Sequence, residues 1–173
     1  MLNRYTLSAL GILLMAASLW LLRPGAEDRI LERLERLRGL AEVSAPESVI
    51  EQLTRAAEIG EFFSEQTVFD LGNAGYGTTV IDSRDELVQR IIRTRARLAL
   101  LELVLQDARV RVGDDTAEAV LTGSGLGQLT GDSEPFLETH TVAVQLRKTA
   151  DEWFITGATH LRDERQPSAA QPD

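Results

Sequence analysis

The last third of the chain decides the fold: residues 141–146 read TVAVQL and residues 153–156 read WFIT. In both segments apolar side chains alternate with polar or smaller ones, as in a strand with one buried face. Three turn-like segments divide residues 100–161 into such stretches, namely 113–115, the glycine-rich 123–131 and 148–151. The pattern predicts a run of antiparallel strands, which the more helical segments before it cover or tether.

Composition excludes several functions. The 173 residues carry a net charge of −9, with 27 acidic against 18 basic side chains, and no cysteine. Because phosphate binding needs a basic surface, no nucleic-acid partner is expected. The absence of cysteine excludes disulfides, thiolate zinc sites and cysteine nucleophiles. The length allows one domain with a real core, which we place at residues 27–162.

Residues 5–22 carry no charge and are rich in Leu, Ala, Ile and Met. As a helix this segment would span about 27 Å, close to the hydrocarbon thickness of a bilayer. Tyr5 and Trp20 lie near its ends, where aromatic rings favour the headgroup region. We predict a single-pass anchor at residues 1–26 that contacts membrane lipid. The alternative is a cleaved signal peptide ending near Ala26, but Pro24 stands where a small residue is needed.

The sequence carries competing signals for the side of the membrane on which the domain lies. Arg23 and four arginines of the next helix follow the apolar segment, whereas Arg4 alone precedes it. Taken literally, the positive-inside rule would leave the domain in the cytoplasm. The four helix arginines are interleaved with acidic residues, however, and the short basic start resembles an export signal-anchor. We favour the extracytoplasmic, periplasmic side.

Two helices are predicted after the anchor. Residues 27–41 carry an apolar stripe of Ile30, Leu34, Leu37 and Ala41. This stripe either packs on the domain or forms a juxtamembrane coiled coil. Ser44 or Ser48 is expected to cap a second helix, which Gly60 ends.

The middle of the chain mixes short elements. Residues 67–71 (TVFDL) predict a short strand, and residues 72–77 (GNAGYG) a loop that lacks the Gly-Lys-Ser/Thr of a phosphate-binding motif. Residues 83–86 (SRDE) form a capping box that begins another helix. We interpret three arginines on one face of it as solvated rather than as an anion site, namely Arg90, Arg93 and Arg97. Residues 163–173 are expected to be disordered.

Three segments carry a resemblance to a known family. They are residues 61–70 (EFFSEQTVFD), residues 83–87 (SRDEL) and residues 151–155 (DEWFI). In this order they resemble the nuclear transport factor 2-like superfamily, also called SnoaL-like. The resemblance implies an α+β fold, in which a curved antiparallel sheet wraps around N-terminal helices as a cone-shaped, cystatin-like roll with an apolar pocket. It also implies a homodimer or a partner protein on the sheet face; one transmembrane helix would precede this domain.

Ketosteroid isomerase, a member of that superfamily, uses an acid at the position that matches Asp70. An acid at the mouth of an apolar pocket would serve as a proton acceptor. The same enzyme needs a helix tyrosine and a strand acid as oxyanion donors. The matching positions are apolar here, with Ile30, Leu34 and Leu37 on the helix and Val142 on the strand. We therefore do not expect the isomerase mechanism.

Strand alternation places Glu138 and His140 on the same face as Val142, and the resemblance implies that this face is concave. The two side chains would meet Asp70 at the pocket rim, a set suited to dehydration or water activation as in other superfamily enzymes. The alternative is that they are simply solvated at a strand end. The predicted pocket lining is Val142, Val144, Trp153 and Ile155.

Alternation places His160 on the opposite face, together with Phe154, Thr156 and Ala158. Because the two histidines would face apart, no metal site is expected. No cofactor is predicted either. Residues 122–126 (TGSGL) lack the first glycine of a nucleophile elbow, so Ser124 is interpreted as a loop hydroxyl.

Two functional hypotheses remain. The first is a membrane-tethered, non-enzymatic module that binds a ligand or a protein; its layout resembles the membrane-anchored scaffold component of type IV secretion systems. The second is an isomerase, hydro-lyase or hydrolase that acts on a small apolar organic substrate through Asp70 and His140.

Overall fold

A computed structural model describes residues 25–72 and 77–161. The elements in chain order are α1 (Ala26–Ala41), α2 (Val49–Gly60), β1 (Phe63–Leu71), β2 (Gly77–Ile81), α3 (Arg84–Arg95), β3 (Leu98–Val112), β4 (Thr116–Leu129), β5 (Phe136–Thr149) and β6 (Glu152–Leu161). Within those residues, none of the helices is long and apolar enough to cross a membrane. The predicted anchor segment at residues 5–22 and the predicted disordered tail at residues 163–173 lie outside the described residues.

Six strands form one sheet in the order β2-β1-β6-β5-β4-β3. Neighbouring strands are antiparallel except β1 and β6, which run parallel. This is the predicted α+β architecture, with the curved sheet and its helices confirmed. The long strands β3 to β6 account for the Val-, Leu- and Thr-rich stretches of the last third of the chain.

Helix α1 lies against the sheet through its predicted apolar stripe. Ile30 and Leu34 are buried, and Leu37 packs against the same core. After the helix ends, Val43 pairs with Leu101 of β3 through two backbone hydrogen bonds of 2.8 and 2.9 Å. The stripe is therefore used within the domain, which leaves the coiled-coil alternative without an apolar seam.

A buried arginine joins α3 to the end of α1. Arg95 is 4% exposed, and its guanidinium donates to the carbonyl oxygens of Leu40 and Ala41 at 3.0 Å and of Glu42 at 3.1 Å. It also donates to both carboxylate oxygens of Glu47, at 2.5 and 3.0 Å. Because the last carbonyls of a helix have no partner within it, Arg95 caps α1 from outside. The arginines predicted to be solvated, 90, 93 and 97, are exposed.

The glycine-rich turn predicted at residues 123–131 is wrong in its position. Strand β4 continues through Gly123, Gly125 and Gly127, and the chain reverses only after Leu129. The glycines serve packing rather than a turn: a Cβ at Gly127 would collide with the ring of Phe136 on the paired strand.

One strand was missed. Most of the predicted loop at residues 72–77 lies outside the described residues, and β2 begins at Gly77. This strand pairs antiparallel with β1 from Thr67↔Ile81 to Leu71↔Gly77. The β-branched run TTVI at residues 78–81 is the signal that would have revealed it. Strand β1 is also longer than predicted, because it begins at Phe63 rather than at Thr67.

Candidate functional site

A cavity of about 460 Å³ lies between α1 and the concave face of the sheet. Apolar side chains form most of its wall, contributed by α1 and by every strand except β2: Leu34, Leu37, Ala41, Phe63, Phe69, Leu101, Leu103, Val104, Leu105, Leu121, Phe136, Val142, Val144, Ile155 and Ala158. Three of the predicted lining residues, Val142, Val144 and Ile155, are among them. Trp153 is not; it is 4% exposed and lies in the hydrophobic core.

Glycines on β4 make room at the mouth of the cavity. Gly123 is paired with His140 and Gly125 with Glu138, so β4 presents no side chains beside these two polar groups. A Cβ at Gly125 would approach Leu103 Cδ2 to 3.3 Å, and one at Gly123 would approach Leu105 Cδ2 to 3.5 Å. The missing side chains leave the polar groups accessible from the cavity.

Three side chains form a hydrogen-bonded chain at this mouth. His140 Nε2 lies 3.0 Å from Glu138 Oε2, and His140 Nδ1 lies 3.0 Å from His160 Nε2. The side chains of Glu138 and His140 remain 56% and 44% exposed, which places them at the rim rather than the floor. Since an ionised carboxylate only accepts, the His140 Nε2–H donates to Glu138. In the tautomer that carries its proton on Nε2, His140 accepts at Nδ1 from the His160 Nε2–H.

The prediction that His160 faces away from His140 is wrong. In the pairing of β5 with β6, Leu146 lies opposite Ile155 while Gln145 lies opposite Gly157, so Thr156 is an extra residue on β6. Such a bulge reverses the face of every later side chain. For this reason Ile155 and Ala158 both line the cavity. The same shift brings the His160 ring centroid to 5.0 Å from that of His140.

Asp70 does not join this group. Its neighbour Phe69 lines the cavity, and alternation along β1 turns the Asp70 side chain to the other face. There Asp70 Oδ1 accepts from Thr78 Oγ1 at 3.1 Å and from the backbone N–H of Gly72 at 3.2 Å. The predicted meeting of Asp70 with Glu138 and His140 is thus not found; the two β5 residues are joined by His160 instead.

Arg38 is the other charged residue in the cavity wall. It donates to Glu35 Oε1 at 2.7 Å, to Glu42 Oε1 at 2.5 Å and to the carbonyl oxygen of Leu103 at 2.9 Å. The hydrogen bond with Glu35, followed by the attraction of both carboxylates, raises the pKa of Arg38. Its charge therefore serves to hold α1 on β3. Within the described ranges, no group of three His, Asp or Glu residues is arranged to hold a metal ion.

A curled sheet closed by helices over an apolar cavity defines a class of cone-shaped α+β domains. The particular family follows from the sequence: residues 52–159 match the SnoaL-like domain, so the chain belongs to that family. Among curated proteins, none matches the chain.

Solved structures share this fold at low sequence identity. A nuclear transport factor 2-like protein with a cystatin-like fold from Novosphingobium aromaticivorans is 20% identical, with a TM-score of 0.58 over 90% of this chain and 92% of that chain. Kfla4162 from Kribbella flavida is 13% identical, with a TM-score of 0.63 over 76% and 86%. A type 2 hexachlorocyclohexane dehydrochlorinase is 10% identical, with a TM-score of 0.60 over 77% and 82%. At these identities the likeness establishes the fold alone.

Proposed function

We propose that the domain binds a small, largely apolar organic molecule in the cavity beneath α1. The observation that carries this proposal is the cavity itself, which has the size of a small-molecule site and a wall of Leu, Val, Phe and Ile side chains. A few polar groups gathered at one end of an apolar cavity are the usual arrangement by which a ligand is oriented. Glu138 and His140 occupy that position here.

A neutral fluorescent probe such as N-phenyl-1-naphthylamine tests the proposal, because its emission rises in apolar surroundings. Wild-type protein is expected to bind it saturably, and Val142→Phe, which fills the cavity, is expected to abolish the saturable signal. Val80→Phe is the matched control, since Val80 is 48% exposed and does not line the cavity. Equal binding by wild type and Val142→Phe would contradict the proposal.

The second candidate function is acid–base catalysis on such a molecule, by an isomerase, hydro-lyase or hydrolase. The hydrogen bond between Glu138 and His140 at the cavity mouth favours it, because a carboxylate-oriented imidazole is suited to proton transfer. One protein of this fold is a dehydrochlorinase, which supports the candidate by analogy only. In this candidate mechanism His140 acts with Glu138, and Asp70, which the sequence suggested, takes no part.

A naphthyl-substituted β-hydroxy ketone tests for catalysis, because loss of water gives a conjugated enone that absorbs in the near ultraviolet. If the protein is a hydro-lyase of this class, His140→Asn should lower the rate by about 100-fold or more. Glu118→Gln is the control, since Glu118 is exposed and lies between the core residues Ala117 and Ala119 on the opposite face of β4. Turnover that survives His140→Asn unchanged would exclude His140 as the catalytic group.

We further propose that residues 5–22 tether the domain to a membrane and leave it on the extracytoplasmic side. The uncharged segment supports the tether, and α1 begins at Ala26, directly after it. Fusions of alkaline phosphatase and of green fluorescent protein to the C-terminus test the side, because the former is active only after export and the latter fluoresces in the cytoplasm. Phosphatase activity in the membrane fraction is expected; fluorescence instead would reverse the orientation.

The outer face of β5 is proposed to contact a second copy of the chain. In a protein of net charge −9, the accessible side chains of this face between residues 139 and 145 are uncharged: Thr139, Thr141 and Gln145. Two of them pair across to β4, with Thr141 at 3.1 Å from Thr122 and Thr139 at 3.0 Å from Ser124. Light scattering should report a dimer that Thr139→Arg dissociates, since Thr139 is exposed; a wild-type monomer would refute the contact.

A further inference from the structure

At the cavity mouth, the Glu138 carboxylate keeps a hydrogen-bonding position that the imidazole of His140 lacks. Both ring nitrogens of His140 are already engaged, one by Glu138 and one by His160. Glu138 Oε2 is engaged as well, whereas Oε1 has no hydrogen bond with any of the described residues. A ligand would have to break an existing bond to reach the ring, but it can reach Oε1 without that cost.

The charged residues of the cavity wall determine which ligand charge the Glu138 carboxylate favours. Of the described residues that line the cavity, Arg38 and Glu138 are the two with full charges. The Arg38 guanidinium is matched by the carboxylates of Glu35 and Glu42, at 2.7 and 2.5 Å. Glu138, in contrast, has no arginine or lysine partner among the described residues; its partner is the His140 ring, 3.0 Å from Oε2. The mouth of the cavity is therefore negative, and its wall is apolar.

We propose that the cavity selects apolar molecules that carry a protonated amine, with the ammonium group donating to Glu138 Oε1. This proposal rests on the ligand-binding function proposed above and names the chemistry of the ligand. A charge-assisted hydrogen bond to a carboxylate is about twice as strong as a neutral one. A carboxylate on the ligand would meet repulsion at the same position, and a neutral hydroxyl would bind with intermediate affinity. The apolar body would lie deeper, against side chains such as Phe69 and Val144.

Three probes with the same naphthalene body test the selection: 2-naphthylmethylamine, 2-naphthalenemethanol and 2-naphthoic acid. Their affinities are measured by calorimetric titration at pH 8, where the amine is still charged. We expect the amine to bind at least about tenfold more tightly than the acid. This comparison is made on the wild-type protein, so it does not depend on whether any variant folds.

Glu138→Gln is expected to lower the affinity for the amine by about tenfold and to change that for the alcohol less than threefold. Glu118→Gln, which removes the same charge from the opposite face of β4, is expected to leave all three affinities unchanged. If the amine and the acid bind equally, or the acid binds better, the amine selection is overturned while the ligand-binding function stands. If none of the three probes binds, the ligand-binding function itself fails, and the selection fails with it.

Discussion

At the scale of single residues, Gly157 allows β1 to pack closely against the bulge in β6. It lies at the bulge beside the extra Thr156, on a strand enclosed by β1 and β5. A Cβ at this position would lie 2.9 Å from the carbonyl oxygen of Val68 and 2.9 Å from Gln145 Oε1. The glutamine can move aside, but the carbonyl belongs to the paired strand. Glycine is therefore the residue that lets β1 pack against the bulge.

Gly157→Ala is expected to lower the free energy of unfolding by about 1–3 kcal/mol, because the strand pair must open to accommodate the methyl group. Urea unfolding followed by circular dichroism measures the change. Gly39→Ala is the control: Gly39 is exposed in α1, and a Cβ there meets nothing within 4 Å. That substitution should stabilise the protein by up to about 1 kcal/mol, since alanine favours a helix. Equal stability of Gly157→Ala and wild type would mean that the bulge tolerates a side chain.

At the scale of elements, the helices are held by interactions at their ends. Arg95 of α3 satisfies three carbonyls at the C-terminal end of α1, and its partner Glu47 lies in the connection to α2. One side chain thus fixes three segments together. Ser48 begins α2 by accepting from the backbone N–H of Glu51, and Ser83 begins α3 by accepting from that of Glu86.

Arg95→Met is expected to destabilise the protein by about 3–5 kcal/mol, because it leaves the largely buried Glu47 carboxylate and the carbonyls of residues 40–42 without their donor. Urea unfolding again provides the measurement. Arg93→Met, on the exposed side of the same helix, should change stability by no more than about 0.5 kcal/mol. If Arg95→Met lowers the free energy of unfolding as little as Arg93→Met does, water replaces the guanidinium, and the hydrogen bonds from Arg95 to the end of α1 are dispensable.

Two carboxylates in the first turns of helices, Glu51 of α2 and Glu86 of α3, predict that the protein loses stability in acid. The hydrogen bond from Ser48 lowers the pKa of Glu51 below its ordinary 4.5, and the one from Arg90 lowers the pKa of Glu86 likewise. A depressed pKa in the folded state stabilises the protein above pH 4.5, and this contribution is lost as the pH falls through the folded-state value. The unfolding temperature should therefore drop below about pH 4.5.

Glu86→Gln tests this dependence, because it removes one of the two groups while keeping the side-chain shape. The variant is expected to show a shallower fall of unfolding temperature with acidification than wild type. Glu65→Gln, an exposed acid on β1, is the control. If Glu86→Gln leaves the dependence of unfolding temperature on pH unchanged while Glu65→Gln reduces it, other carboxylates cause the loss of stability in acid.

At the scale of the whole molecule, the described residues from 25 onward share one hydrophobic core. Its core joins α1, α2, α3 and all six strands through residues such as Ile30, Phe62, Leu87, Leu146 and Ile81. We predict that deletion of residues 1–24 leaves the unfolding temperature unchanged and moves the protein from the membrane fraction to the soluble fraction. Scanning calorimetry and fractionation measure the two effects. A deleted protein that does not fold would show that the apolar segment belongs to the core.

The sequence by itself determined most of the helices and strands of this protein, although it missed β2. Period-two alternation marked β5 and β6, the stripe through Ile30 and Leu34 marked the covering face of α1, and Ser83 marked the start of α3, because each of these signals acts between residues close in the chain. For α2 the sequence left Ser44 and Ser48 as alternative caps, and the structure places the cap at Ser48. The resemblance at residues 61–70 and 83–87 added the family.

Only the tertiary structure decided how the candidate site is composed. The pairing of β6 with β5 has an extra residue at Thr156, and this brings His160 to His140 while alternation on β1 turns Asp70 away. Arg95 likewise differs from its neighbouring arginines only in the groups that surround it. Strand register and burial are set by contacts between residues far apart in the chain, so a local pattern cannot reveal them.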